Sequence, residues 1–243
     1  AFDALGDNVL AVTAESPTYP YEELRSAVKT AVTIGSKQLL LNTKELSDKN
    51  FVANSLQRCY FCKKGLFSAL RKIAKERGLR FIVDGSTLSD KNDLRPGNRA
   101  KKEFGIRSPL VEAGFTKPDV RRVSKTIGLD TWNKPPLACL ASRIPYGRKI
   151  TVSLLNKIEK GESFLRSIGF SQVRLRSYDD ICRIEVDKKE LTKVIHKHKA
   201  IVSELKKIGY KYITVDLEGY RTGSMNPAPA CRSGVNPTPA RSG

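Results

Sequence analysis

Val9-Leu10-Ala11-Val12-Thr13-Ala14-Glu15-Ser16 is an apolar run that closes on small and polar residues. Such a run suits a buried parallel strand followed by a loop on the ligand side of a sheet. Pro20 can open the next helix, in which Leu24, Ala27, Ala31 and Ile34 recur at helical spacing before Gly35 stops it. Gln38-Leu39-Leu40-Leu41-Asn42 reads as a second strand. Residues 59–77 read as a helix with Leu66, Leu70, Ile73 and Ala74 on one face and Gly78 as its cap, and 80–83 as a third strand running into Asp84-Gly85-Ser86. Strands and helices alternating in this way predict right-handed βαβ units, and hence an α/β fold with a Rossmann-like parallel sheet. Ligands of such sheets bind beyond the carboxyl ends of the strands, where Asp84-Gly85-Ser86 and the loop through Arg95-Pro96-Gly97 are expected.

Further along, Thr116 caps a helix with Pro118 and Asp119 in its first turn, closing at Gly128. Past Pro145-Tyr146-Gly147 the pattern changes, which divides the chain into a nucleotide-binding-like domain over 1–149, a smaller α+β domain over 150–226 and a disordered tail over 227–243. In the second domain Leu155, Ile158 and Leu165 form an apolar stripe, with Glu162 inside it. That carboxylate either snorkels to solvent or anchors a salt bridge or ligand at the domain boundary. Residues 172–176 and 181–186 read as a hairpin that buries Val173, Leu175, Cys182, Ile184 and Val186. Arg174, Arg176, Arg183 and Glu185 share the other face, where two arginines at strand spacing can grip a phosphate or carboxylate, or simply pair with Glu185 on a wet surface. Asp187 and Glu190 read as the capping box of one helix running to Gly209, and 212–217 as a final strand.

The chain has 243 residues and a formal charge of +19. That surplus suits polyanionic partners, nucleic acid or phosphate-rich small molecules, and equally the solvated helix faces of a very charged protein. No apolar run approaches a spanning helix and no leader is visible, so the expectation is a cytoplasmic protein with no membrane partner and reduced thiols.

Five cysteines stand in the sequence, and three draw attention. Cys59 and Cys62, one turn apart at a helix opening, lie on one face, where a single centre can take both. Cys139, in a loop with Pro135, Pro136, Pro145 and Gly147, is the best placed third thiol. The pair also suits a redox couple, or half of a structural zinc site whose other ligands are lacking, since His196 and His198 diverge on their helix. Three thiolates on an iron-sulfur or otherwise catalytic centre leave one position open for chemistry.

In order and spacing, several stretches together resemble the LarE family. They are Ala11 to Ser16, Asp84-Gly85-Ser86 with Arg95-Pro96-Gly97, Cys139 to Gly147, Glu162 before Leu165-Arg166-Ser167-Ile168-Gly169-Phe170, Arg174 with Arg176, and Gly219-Tyr220-Arg221-Thr222-Gly223. Members of that family are PP-loop ATP-dependent sulfur transferases that act on the nickel-pincer nucleotide of lactate racemase. The resemblance implies ATP and Mg2+ as cofactors, adenylation of a pyridinium dicarboxylate mononucleotide, its conversion to a thiocarboxylate, and a homo-oligomer. It assigns Cys59, Cys62 and Cys139 to a 4Fe-4S cluster, Cys139 and Glu162 to catalysis, Glu15, Asp84 and Arg143 to the nucleotide, and Arg174 and Arg176 to the substrate. The family's Ser-Gly-Gly-x-Asp-Ser loop has no counterpart here, so a longer parent protein is expected. The alternatives are a PP-loop tRNA thiolase with an iron-sulfur cluster, for which no separate RNA-binding module is visible, and an inactive fragment or metal-binding module.

Overall fold

The computed structural model describes residues 1–90, 96–135, 137–221 and 223–225. The expected ligand loop over 92–95, Pro136, Thr222, Cys231 and the predicted disordered tail lie outside them.

The fold is α/β, as the alternation of elements predicts. β1 (Ala11–Glu15) pairs in parallel with β2 (Gln38–Asn42), Ala11 opposite Gln38 and Glu15 opposite Asn42. The crossover between them is α1 (Tyr21–Ile34), which ends where Gly35 takes φ +78°, a conformation free of steric cost only for glycine. α2 (Arg58–Glu76) follows, and its first turn carries Cys59 and Cys62. The predicted third strand does not form: Val83 makes one parallel bridge to Arg107, with Arg107 N donating to Ile82 O at 3.0 Å. Its neighbour is too short to extend a ladder, because Gly105, in a left-handed turn, and Pro109, at the start of the next helical turn, bracket it. α3 (Lys117–Thr126) starts with the full capping box between Thr116 and Asp119.

The second sheet has the order β3-β4-β5. α4 (Val152–Ser167), capped by Thr151, leads into β3 (Val173–Tyr178), which turns at Asp179 into antiparallel β4 (Ile181–Val186). One continuous helix was expected next. Instead α5 (Leu191–His196) and α6 (His198–Lys207) are broken at Lys197, and they cross over to β5 (Tyr212–Val215), which lies parallel to β4. The capping box there is only half made. Asp187 accepts from Lys189 N, while the Glu190 carboxylate turns away to Ser171.

The main core lies between α4, α6 and the second sheet, where Leu155, Ile158, Leu165, Leu175, Cys182, Ile184 and Leu205 are fully buried. Phe51, Leu140, Ala141 and Ile144, all from before α4, belong to the same cluster. The loop carrying Cys139 is therefore anchored in the packing of the second sheet. A second tie, Leu140 N to Thr18 O at 2.7 Å, joins it to the loop after β1.

Candidate functional site

The arginine face of the hairpin is not wet. Arg174 is 3 % exposed and Arg176 5 % exposed, with Glu185 fully buried between strands and loop. Arg176 grips Glu185 with both ends of its fork, Nε to Oε1 at 3.0 Å and Nη2 to Oε2 at 2.8 Å, and also donates to Ser142 O and Ser224 Oγ. Burial works to raise the Glu185 pKa, but the hydrogen bonds and charge of Arg176 outweigh it, so the carboxyl stays below its usual range. Arg174 donates to Val173 O and lies over the Tyr220 ring, 5.1 Å from its centroid.

Glu162 is an anchor and not a snorkelling side chain. It is fully buried, accepts from Arg143 Nε at 2.8 Å and Nη2 at 3.0 Å, and takes Leu175 N at 3.0 Å on the same carboxylate. Arg143, also fully buried, turns its Nη1 to Ala138 O, Cys139 O and Ser142 Oγ. The pair thus ties the loop around Cys139 to α4 and β3. Arg143, expected to meet a nucleotide, and Glu162, expected to act in catalysis, are thus found paired with each other in a buried network that holds the loop.

The cleft lies elsewhere, beyond the carboxyl ends of β1 and β2, as open parallel sheets dictate. Its volume is about 950 Å³, and Glu15, Tyr19, Tyr21, Asn42, Glu45, Phe61, Cys62 and Lys63 are among its walls. Of the sequence-predicted residues, Glu15 and Cys62 line it. Asp84 does not; it binds Ser86, Ser108 and Lys101, whose Nζ stands 2.8 Å from its carboxylate. Burial pushes the Asp84 pKa up, and the bonds from Lys101 and the two serines bring it below the usual value.

Cys62 lines this cleft, and Cys59 and Cys139 lie near enough to act on its charge. Cys59 is exposed; Cys62 and Cys139 are half-buried. Burial pushes the Cys62 thiol up to about 12, helped by the nearby Cys139, Glu45 and Cys59 and opposed by Arg58. Cys139 is raised by burial as well, against a backbone hydrogen bond from Ala141, the charge of Arg58 and a bond with Thr18. The same three sulfurs, after burial, raise the Tyr19 hydroxyl. Each thiol is therefore within electrostatic reach of the others. Among the described residues no three His, Cys, Asp or Glu side chains are close enough to ligate one metal ion. A tetrahedral ion needs sulfurs within about 4 Å of one another, since metal–sulfur bonds are about 2.3 Å. A cubane takes one thiolate per iron, so its ligands stand further apart. As placed, the three thiols do not fit a single tetrahedral ion such as structural zinc.

Sequence reasoning missed the groups between cleft and thiols. Thr18 is buried, and with Ser16 it donates to Glu45 Oε1, the Thr18 contact being 3.2 Å. Glu45 Oε2 is out of solvent and has no hydrogen-bond partner among the described residues. Arg58 sits beside the first cysteine and looks like surface charge in the sequence. Only its adjacency to Cys59 pointed to a role.

No protein-family model matches the chain. An uncharacterized protein of Synechocystis sp. is 40% identical over 228 residues, 93% of this chain and 85% of that protein. The pyridinium-3,5-bisthiocarboxylic acid mononucleotide synthase of Lactiplantibacillus plantarum is 37% identical over 227 residues, covering 93% of this chain and 82% of the synthase. An uncharacterized protein of Methanocaldococcus jannaschii is 34% identical over 190 residues, 78% of this chain and 74% of its own length.

Proposed function

The chain belongs to the LarE family, that of the pyridinium-3,5-bisthiocarboxylic acid mononucleotide synthase, and from that membership we propose that it is a sulfur transferase of nickel-pincer nucleotide synthesis. Its substrate is a pyridinium dicarboxylate mononucleotide. With ATP and Mg2+, a substrate carboxylate oxygen attacks the α-phosphorus and pyrophosphate leaves. A sulfur nucleophile then displaces AMP to leave a thiocarboxylate.

The observation that supports this reading is Cys62 in the wall of a cleft of about 950 Å³, with Cys59 and Cys139 near enough to act on its charge. The three thiolates would hold a 4Fe-4S cluster, which when bound supplies a reusable sulfur nucleophile in place of a cysteine spent in one turnover. Glu15 and the cleft walls take the nucleotide. Arg174 and Arg176 are of a type suited to the substrate's phosphate and carboxylates, but both are buried on β3 away from the cleft walls, so they would have to exchange protein partners such as Val173 O, Glu185 and Ser142 O for substrate. Arg143 and Glu162 keep Cys139 in place, so they support catalysis through position.

Protein purified without oxygen should contain iron and acid-labile sulfide in equal amounts, and Cys59→Ala should remove both. ATP should be converted to AMP only when the pyridinium mononucleotide is present, measured with a chain that includes any upstream segment. A Cys59→Ala protein that keeps its iron sinks the ligand assignment; AMP formation indifferent to the mononucleotide sinks the substrate. The charge of +19 favours one other reading, a tRNA thiolase. Salt-sensitive gel shifts with tRNA, at concentrations where the mononucleotide does not bind, would select it.

A further inference from the structure

Glu23, Asp48 and Glu159 in the cleft wall are engaged within the protein. Glu23 pairs with Lys134 at 2.8 Å, Asp48 accepts from Asn50 N at 2.8 Å, and Glu159 accepts from Tyr21 N at 2.7 Å. Glu45, in the same wall, differs. Its Oε1 accepts from the hydroxyls of Ser16 and Thr18, while Oε2 is shielded from water and has no hydrogen-bond partner among the described residues. A carboxylate oxygen in that state has given up its hydration for nothing, a cost that a donor from a ligand removes.

The carboxylate is also held in place. Thr18 is fully buried, its amide donates to Ser16 Oγ at 3.0 Å, and the two hydroxyls stand 2.7 Å apart. The Thr18 carbonyl accepts from Leu140 N at 2.7 Å, so the loop that fixes Glu45 is tied to the residue after Cys139. Glu45 therefore sits on a rigid support at a cleft wall that also carries Cys62.

Chemistry narrows what it can meet. Phosphates and ionised carboxylates only accept hydrogen bonds, and beside Glu45 they would face a like charge. The ring nitrogen of a pyridinium mononucleotide carries no hydrogen. Its ribose hydroxyls are the donors that such a ligand brings, and an adenine nucleotide brings the same pair together with its amino group.

We propose that Glu45 is a ribose-binding residue of the cleft, its unfilled oxygen accepting from a 2′ or 3′ hydroxyl, with Ser16 and Thr18 holding it for that contact. The inference rests on the nucleotide reading above and adds to it the part of the ligand that this residue recognises.

Calorimetry on a chain that includes any upstream segment tests it with two pairs of probes: AMP and 2′,3′-dideoxy-AMP, and the pyridinium dicarboxylate mononucleotide with its 2′,3′-dideoxyribosyl form. In the wild type, loss of the hydroxyls should weaken binding about tenfold in at least one pair. Glu45→Ala should weaken the ribosyl member of that pair by a similar factor and leave the dideoxy member unchanged, so that the two losses do not add. Glu45→Gln, which keeps the shape but not the charge, should fall between. The pair that shows this coupling tells whether the ribose belongs to the adenine nucleotide or to the substrate. Equal weakening of ribosyl and dideoxy forms, as for a carboxylate that holds a cation, overturns the inference and leaves the nucleotide reading standing; so does wild-type affinity in a folded Glu45→Ala protein. If that variant does not fold, the same comparison in Glu45→Gln decides. Wild-type protein that binds none of the probes overturns the nucleotide reading itself, and this inference with it.

Discussion

Glu162, beside the second sheet, is fully buried, while Glu45, in the wall of the cleft, is half-buried with one carboxylate oxygen out of solvent. Glu162 has both oxygens filled, by Arg143, Arg166 and the Leu175 amide. In Glu45 one oxygen takes the hydroxyls of Ser16 and Thr18, while the other has no partner among the described residues. Closed networks of this kind rigidify the loop they hold, as around Cys139. An open one is a place where a ligand's donor or cation recovers the lost hydration. The second sheet therefore fixes the Cys139 loop, and the parallel sheet opens the cleft that carries the unfilled carboxylate oxygen.

Removing the closed network should do the most damage. Glu162→Ala leaves Arg143 buried without its counter-charge and should cost about 3–5 kcal/mol in urea unfolding at neutral pH. A loss under about 1 kcal/mol, accompanied by loss of AMP formation, would instead return Glu162 to a chemical role. Next in size is a glycine contrast. A Cβ on Gly161 would stand 2.6 Å from Leu175 Cδ1 and 3.2 Å from Leu205 Cδ2, inside the packed core. Gly161→Ala should therefore destabilise by about 1–3 kcal/mol. In α2, a Cβ on Gly65 would meet nothing within 4 Å, so Gly65→Ala should stabilise by about 0.5–1 kcal/mol through helix propensity. Melts in which the two variants shift the same way would remove the contrast between a tight and an open region.

Glu45→Gln should change stability by less than about 1 kcal/mol, because the oxygen it alters has no partner to lose. Its effect should appear as weakened binding of the cleft's ligand, read by calorimetry with the mononucleotide. A large stability loss with unchanged binding would make Glu45 another anchor. The smallest signature is in the slope of stability with acid. The folded pKa of Glu185 is below its unfolded value, so its contribution is present above the unfolded pKa and lost as pH falls through the folded one. Urea midpoints of the wild type should drop across that acid range, and Glu185→Gln should flatten the drop.

Much of the local structure was legible in the chain. Gly35 ended α1, Thr116 and Asp119 capped α3, and the alternation over 173–186 placed Cys182 in the core. These features depend on backbone geometry and on neighbours a few residues away. The third strand failed because a ladder needs a partner of matching length, which residues 106–107 do not offer. The break at Lys197 carried no proline or glycine to announce it.

By itself, then, the sequence determined the α/β class, the helix ends, the faces of the hairpin and the three cysteines as candidates, because capping, periodicity and alternation are local properties. Tertiary structure alone decided that both faces of β3 are buried, that Arg143 and Glu162 hold a loop, and that Arg58, by donating to Ala141 O, bridges the two cysteine segments. Those outcomes depend on which distant carbonyls and carboxylates come within hydrogen-bond reach, and partners separated by tens of residues meet only once the core has packed.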